Sequence, residues 1–175
     1  MKIKETSLPG VYTVDIDRHT DVRGFFARTW DRESAEKLGL IQQFDYTCIS
    51  GNAKKGTLRG MHYQIDAHGE TKLVRCTKGS MFDVVIDLRP NSPTFKKWIG
   101  ADLSAENHSA LYIPTGCAHG FITMQDDTEV LYQIHGNYNA DASKGVRWND
   151  PAFGIEWPMQ PTILSERDTA YPDIV

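Results

Sequence analysis

Turn signals recur along this chain about every 8 to 12 residues between short apolar runs, a spacing that restricts it to a sandwich or barrel of strands. The run Phe82-Asp83-Val84-Val85-Ile86-Asp87-Leu88 is rich in β-branched residues and closes on the turn cluster Arg89-Pro90-Asn91-Ser92-Pro93. Trp98 to Leu103 then leads through Ser104-Ala105-Glu106-Asn107 into Ala110 to Ile113, and Gly120 to Met124 and Glu129 to Ile134 repeat the pattern. A single helix is predicted over Arg32 to Leu38, capped by Asp31 and stopped at Gly39, with a second short turn starting at Ser165. No internal repeat, low-complexity tract, glycine-rich phosphate loop or heptad is present. The expected fold is all-β, an antiparallel jelly roll with short helical additions.

A chain of 175 residues with 40% hydrophobic composition can bury one ordinary core, so residues 1–175 are expected to form a single domain. The net charge of -4 argues against a nucleic-acid surface, and any anionic ligand must meet a local cationic cluster instead. No stretch has the length of a signal-peptide core or approaches the roughly 20 apolar residues that span a bilayer. A soluble, cytoplasmic protein without a membrane partner is expected. The cysteines Cys48, Cys76 and Cys117 are odd in number and widely spaced, which predicts reduced packing residues rather than a disulfide framework.

The chemistry is concentrated in Arg59-Gly60-Met61-His62-Tyr63-Gln64 and Lys72-Leu73-Val74-Arg75. Strand alternation puts His62 and Gln64 on one face, and Lys72, Val74 and Cys76 on one face of the next strand, with Leu73 and Arg75 turned away. If His62 and Lys72 both face inward they share one interior, where a buried lysine must be paired or used. A base titrating near neutrality, a fixed cation and a separate acid are what proton abstraction beside a carbonyl requires. Standing alone, His62 would read as a hydrogen-bonded core residue and Lys72 as an edge lysine. In Pro114-Thr115-Gly116-Cys117-Ala118-His119-Gly120-Phe121 the proline and glycines turn the chain so that His119 enters the next strand. Two histidines invite a metal, but His62-Tyr63-Gln64 lacks a second imidazole and three ligands are not found, so no metal is expected. Tyr132 reads equally as a satisfied core phenol or as an acid, and Ser165-Glu166-Arg167-Asp168 reads as a capping box.

Over nearly its whole length the chain resembles the nucleotide-sugar 3,5-epimerase family typified by dTDP-4-dehydrorhamnose 3,5-epimerase. The resemblance rests on Asp21 to Phe26, Gly56 to Gln64, Lys72 to Arg75, and Asp83 to Arg89 with Ser92-Pro93-Thr94. It continues through Ile113 to Phe121, Tyr132 with Tyr138, Trp148 to Pro151, Gly154 to Pro158 and Ser165 to Asp168. It implies a cupin-type jelly roll, without metal or consumed cofactor, that forms a homodimer and takes a nucleotide-sugar substrate. It also implies roles: His62 as base, Asp168 as the carboxylate that orients it, Lys72 as enolate stabiliser and Tyr132 as acid on the opposite sugar face. Arg59 and Arg23 resemble diphosphate ligands, Arg23 reaching toward a partner's site, His119 a sugar contact, and Phe26 and Tyr138 a nucleobase sandwich. Departures fall at the nucleotide side, where Arg28 replaces a frequent glutamate and Thr47 and Ile49 occupy the usual Gln and Asn positions. The activity implied is 3,5-epimerisation of a 4-keto-6-deoxyhexose linked to dTDP, with a mono-epimerase, a CDP-linked substrate or a non-catalytic sugar-nucleotide-binding cupin as alternatives.

Overall fold

The structure, a computed structural model, describes residues 1–174. Its larger sheet has six strands in the order β1 (Lys2–Glu5), β2 (Tyr12–Asp15), β10 (Ala110–Ile113), β7 (Thr71–Lys78), β12 (Thr128–His135) and β5 (Tyr46–Asn52). The second sheet has five, in the order β13 (Ser143–Gly145), β6 (Leu58–Gln64), β11 (Cys117–Thr123), β8 (Ser80–Asp87) and β9 (Trp98–Ser104). A separate hairpin pairs β3 (His19–Asp21) with β4 (Gly24–Phe26). Every ladder between these strands is antiparallel, and from β5 onward the chain crosses between the two sheets at each step except the β8–β9 hairpin, as in a cupin jelly roll.

The runs read as strands are strands, with ends set by local chemistry. β8 stops at Asp87 rather than Leu88 because the Asp87 carboxylate gathers the turn, accepting bonds from Arg89 Nε at 2.8 Å, Ser92 Oγ at 2.5 Å and Thr94 Oγ1 at 2.6 Å. β11 begins before Gly120, since Gly116 adopts a left-handed φ of 81° and lets Cys117 pair with Asp87. Helix α1 (Arg32–Lys37) starts where Asp31 accepts from the Ser34 N–H at 2.9 Å and ends before Gly39 at φ 68°. Helix α2 (Glu166–Thr169) is capped by Ser165.

Between the sheets lies a core of Val74, Cys76, Met81, Val85, Leu111, Phe121 and Val130. Phe121 is fully buried there, worth about 2–3 kcal/mol. The alternate residues of β8, Val84 and Ile86, point to the opposite face, where Val146, Phe153 and Trp157 cover them. The outer face of the larger sheet is partly covered as well, Trp30 and Phe44 packing over Leu73 and Tyr112. β8 and β11 therefore carry apolar residues on both faces, interrupted by the buried polar residues Asp83, Asp87 and His119. Among the described residues no helix is long and apolar enough to cross a membrane.

Candidate active site

A cavity of about 880 Å³ opens between the two sheets. β5, β7 and β12 of the larger sheet wall one side, β6 and β11 the other, and the segment carrying α2 closes over it. Parity delivers the side chains: Lys72 shares a face of β7 with Val74 and Cys76 and looks inward, while Arg75 faces out and donates to Thr29 O.

His62 and Asp168, 106 residues apart, meet at 2.7 Å between Nε2 and Oδ1. A carboxylate can only accept, so Nε2 carries the proton and Nδ1 keeps its lone pair. The second Asp168 oxygen accepts from the Gly60 N–H at 3.2 Å, and the Asp168 N–H donates to Ser165 Oγ. Burial pushes this carboxyl up, but bonds and charge from His62, with the Gly60 and Ser165 contacts, outweigh it and hold Asp168 below its ordinary range. Ser165 caps α2 as expected, but the reciprocal bond of a capping box is not made, because the Asp168 carboxylate turns to His62 and Gly60 and so serves the site. Gly60 is required for this geometry: at φ 140° it runs so close to β11 that a Cβ would lie 2.5 Å from Gly120 Cα.

Lys72 is nearly enclosed, its side chain 12% exposed, with Nζ 3.4 Å from Glu70 Oε2. Burial lowers its pKa, opposed by the charges of Glu70 and Asp83. Tyr132 stands opposite Cys48 in the ladder and edge-on to His119, the ring centroids 5.9 Å apart. Burial, then the charge of Asp83, pushes its phenol well above the ordinary range, so it remains a proton donor. His119 bonds through Nε2 to Asp83 Oδ1 at 2.7 Å. Arg59 is braced by Asn52 Oδ1 at 2.8 Å, and Arg167 and Tyr138 also border the cavity. Among the described residues no group of three or more His, Cys, Asp and Glu converges on one point, and His62 and His119 each face their own carboxylate.

The structure thus gathers His62, Lys72, Tyr132, Asp168, Arg59, His119 and Tyr138, and leaves four expected residues outside. Thr47 is misplaced by parity: Tyr46, Cys48 and Ser50 line the cavity, so Thr47 and Ile49 occupy the other face of β5. Arg28 pairs with Asp31 on the surface. Arg23 bonds Asp21 and is 85% exposed, and Phe26 is 79% exposed, both on the β3–β4 hairpin away from this chain's cavity. Cys48 is likewise not a packing residue but a thiol on the cavity wall, whereas burial pushes Cys76 to about 11 and Cys117 to about 12. Sequence reasoning missed Asp83, Glu70 and Tyr46. The signal for Asp83 was available, since an acid on the inward parity of an apolar strand must find a partner.

The model of the dTDP-4-dehydrorhamnose 3,5-epimerase family matches residues 5–175. The chain belongs to this family. It is 39% identical to the dTDP-4-dehydrorhamnose 3,5-epimerase of Sinorhizobium fredii, over 99% of this chain and 90% of the relative. Among solved structures, the Bacillus anthracis dTDP-4-dehydrorhamnose 3,5-epimerase with TDP and PPi bound superposes with a TM-score of 0.94 at 39% identity, covering 99% of each chain. The Legionella pneumophila dTDP-6-deoxy-D-glucose-3,5-epimerase in complex with dTDP-4-keto-L-rhamnose gives 0.88 at 33% identity, covering 95% and 89%. The 3,5-epimerases are isomerases, and both sheets of the jelly roll fall within the region this chain shares with them.

Proposed function

We propose that this member of the family converts dTDP-4-dehydro-6-deoxy-D-glucose to dTDP-4-dehydro-L-rhamnose by inverting C3 and C5. The observation that carries the reading is the meeting, around one cavity, of the His62–Asp168 pair, the enclosed Lys72 and the protonated Tyr132.

In this reading His62 Nδ1 takes the proton alpha to the C4 ketone, and the electron pair moves into the ring to form an enolate whose oxygen rests against the Lys72 ammonium. Asp168 compensates the imidazolium that forms. Tyr132 then delivers a proton to the carbon from the opposite ring face, which inverts it; His62 releases its proton to water and the Tyr132 phenolate takes one from water, and the restored pair treats the other centre in a second cycle. Electrostatic stabilisation of the enolate by one such group is worth about 3 kcal/mol, so Lys72→Met should lower kcat about a hundredfold while changing KM little. Arg59 and Arg167, at the cavity edge, suit a diphosphate, and the exposed ring of Tyr138 suits a nucleobase. No cofactor is consumed.

The active assembly is a homodimer in this reading. Supporting it are the bare β3–β4 hairpin, with Val22, Phe25 and Phe26 all exposed, and Arg23 carried beside them, where a partner's cavity can receive it. Sedimentation should return twice the chain mass of 19.7 kDa, and a monomer that retains full activity would remove this part of the reading.

The activity is tested by NMR of the dTDP-4-keto-6-deoxyglucose substrate with the protein in deuterated water, following C3 and C5 separately. Exchange at both centres is expected. Exchange at one alone would redefine the protein as a mono-epimerase, and exchange at neither would overturn the reading for this nucleotide sugar.

A further inference from the structure

Glu70 takes no part in the proton transfers described above, yet its side chain is 8% exposed and lies on the cavity wall. It precedes β7 by one residue, so it shares the inward face with Lys72. Its two oxygens have different partners: Oε2 is 3.4 Å from Lys72 Nζ, and Oε1 accepts from the Tyr46 hydroxyl at 2.8 Å. The backbone makes this triangle rigid. Ile134 of β12 is paired with Tyr46 on one side and with Lys72 on the other, so the phenol and the amine flank the same residue across three hydrogen-bonded strands. Gly136 closes the back, where a Cβ would come within 3.0 Å of Gly69 O and 3.5 Å of Glu70 Cα.

We propose that Glu70 is a positioning residue, which keeps Lys72 an ammonium directed into the cavity, and that Tyr46 holds the carboxylate in place for this purpose. The inference rests on the epimerase reading of the cavity and extends it to residues that reading leaves unused.

The physical need is clear from burial. An amine taken out of water loses its proton more readily, and a neutral amine carries no charge to set against an enolate. Burial does lower Lys72, and Glu70 is the first of the charges that oppose it, with Asp83 on β8 next. The other ionisable groups bordering the cavity are Tyr46 and Cys48 on β5, Tyr132 on β12, Tyr138 after it, His119 on β11, His62 with Arg59 on β6, and Arg167 with Asp168 on α2; the one anion among them, Asp168, is bonded to His62 and Gly60 and not to Lys72. The length of the contact matters too. A close charge-assisted bond runs at about 2.7–2.9 Å, whereas this pair sits at 3.4 Å, so the three ammonium protons are not all committed and the substrate oxygen can take one. Burial also pushes the Tyr46 phenol up, so it stays a donor to Glu70.

The sign of the pH effect follows. Removing the Glu70 charge lowers the pH at which Lys72 loses its proton, so the alkaline limb of kcat moves to lower pH. The test is Glu70→Gln, which preserves shape, alongside Tyr46→Phe, read two ways. Lysine side chains labelled with carbon-13 at Cε give the Lys72 titration in the free protein, its signal assigned by absence in Lys72→Met. That midpoint is expected to fall by about one pH unit in Glu70→Gln and by less in Tyr46→Phe. Kinetics should show kcat lowered about tenfold above neutrality with KM within about twofold of wild type. An unmoved Lys72 titration overturns the proposal. So does a raised KM with an unmoved alkaline limb, which would make Glu70 a substrate contact. The titration needs no turnover, so it decides the role of Glu70 even if the wild-type protein exchanges neither sugar proton and the epimerase reading falls.

Discussion

Asp168 shows how much one side chain can carry. One oxygen fixes the His62 tautomer, the other holds the Gly60 N–H, and its own N–H is taken by the Ser165 cap. Asp168→Asn keeps an acceptor for one of these contacts and loses the anion, so the protein should fold normally while kcat drops about 10²- to 10⁴-fold, as read by the deuterium-exchange rate. A loss of thermal stability large enough to unfold the variant under assay conditions would instead make Asp168 a support of the fold. His62 and Lys72 were legible in the sequence because their residue types are costly inside a sheet unless used. Glu70 and Tyr46 were not, for a carboxylate near the start of a strand and a tyrosine on another strand have ordinary surface and packing roles. Only their shared neighbour on β12 connects them.

At the scale of elements, the β6–β11 pair is the most constrained. Gly120 has Met61 Sδ at 2.6 Å and Arg59 O at 2.7 Å from where a Cβ would stand, at the register shift between His119 and Phe121. Gly120→Ala should therefore cost about 1–3 kcal/mol in urea unfolding and also displace Arg59 and His62 enough to slow exchange. The β8–β9 turn predicts a pH effect. Burial raises the Asp87 carboxyl, but Arg89, Ser92 and Thr94 more than reverse this, leaving it well below the ordinary range. A carboxyl depressed on folding stabilises fully above its unfolded value near about pH 4, and that stability is lost as pH falls toward the folded value. Asp87→Asn should destabilise by about 2–3 kcal/mol at neutral pH, with the gap to wild type narrowing below about pH 4 in urea titrations. A gap constant with pH would mean the turn is held by packing alone. Strand existence followed from alternation and turn residues, and strand parity on β7 did too. Parity on β5 did not, because Tyr46, Cys48 and Ser50 on one face and Thr47, Ile49 and Gly51 on the other each mix small and polar residues with one larger side chain, and no apolar stripe marks the inside.

Over the whole molecule, the site is assembled from both sheets and then completed by a segment outside them. α2 adds a buried aspartate over β6, and Tyr171 lies against Gly145 and edge-on to His62 with ring centroids 6.2 Å apart. A chain ended after Leu164 should keep its β-sheet circular dichroism and cooperative unfolding, since both sheets precede that point, yet lose exchange activity. Loss of the sheet signal would show that α2 supports the fold as well as the site. The sequence by itself determined the all-β class, the places of the turns and helix caps, and the residue types able to move a proton beside a ketone, because periodicity, capping and the cost of buried charge are local. Only the tertiary structure decided which of them meet. His62 reaches Asp168 across 106 residues, His119 finds Asp83 on the neighbouring strand, and Thr47 turns outward while Cys48 turns in. Such pairings depend on sheet order and register, which are set by the sum of packing over both sheets and not by the spacing of any one motif.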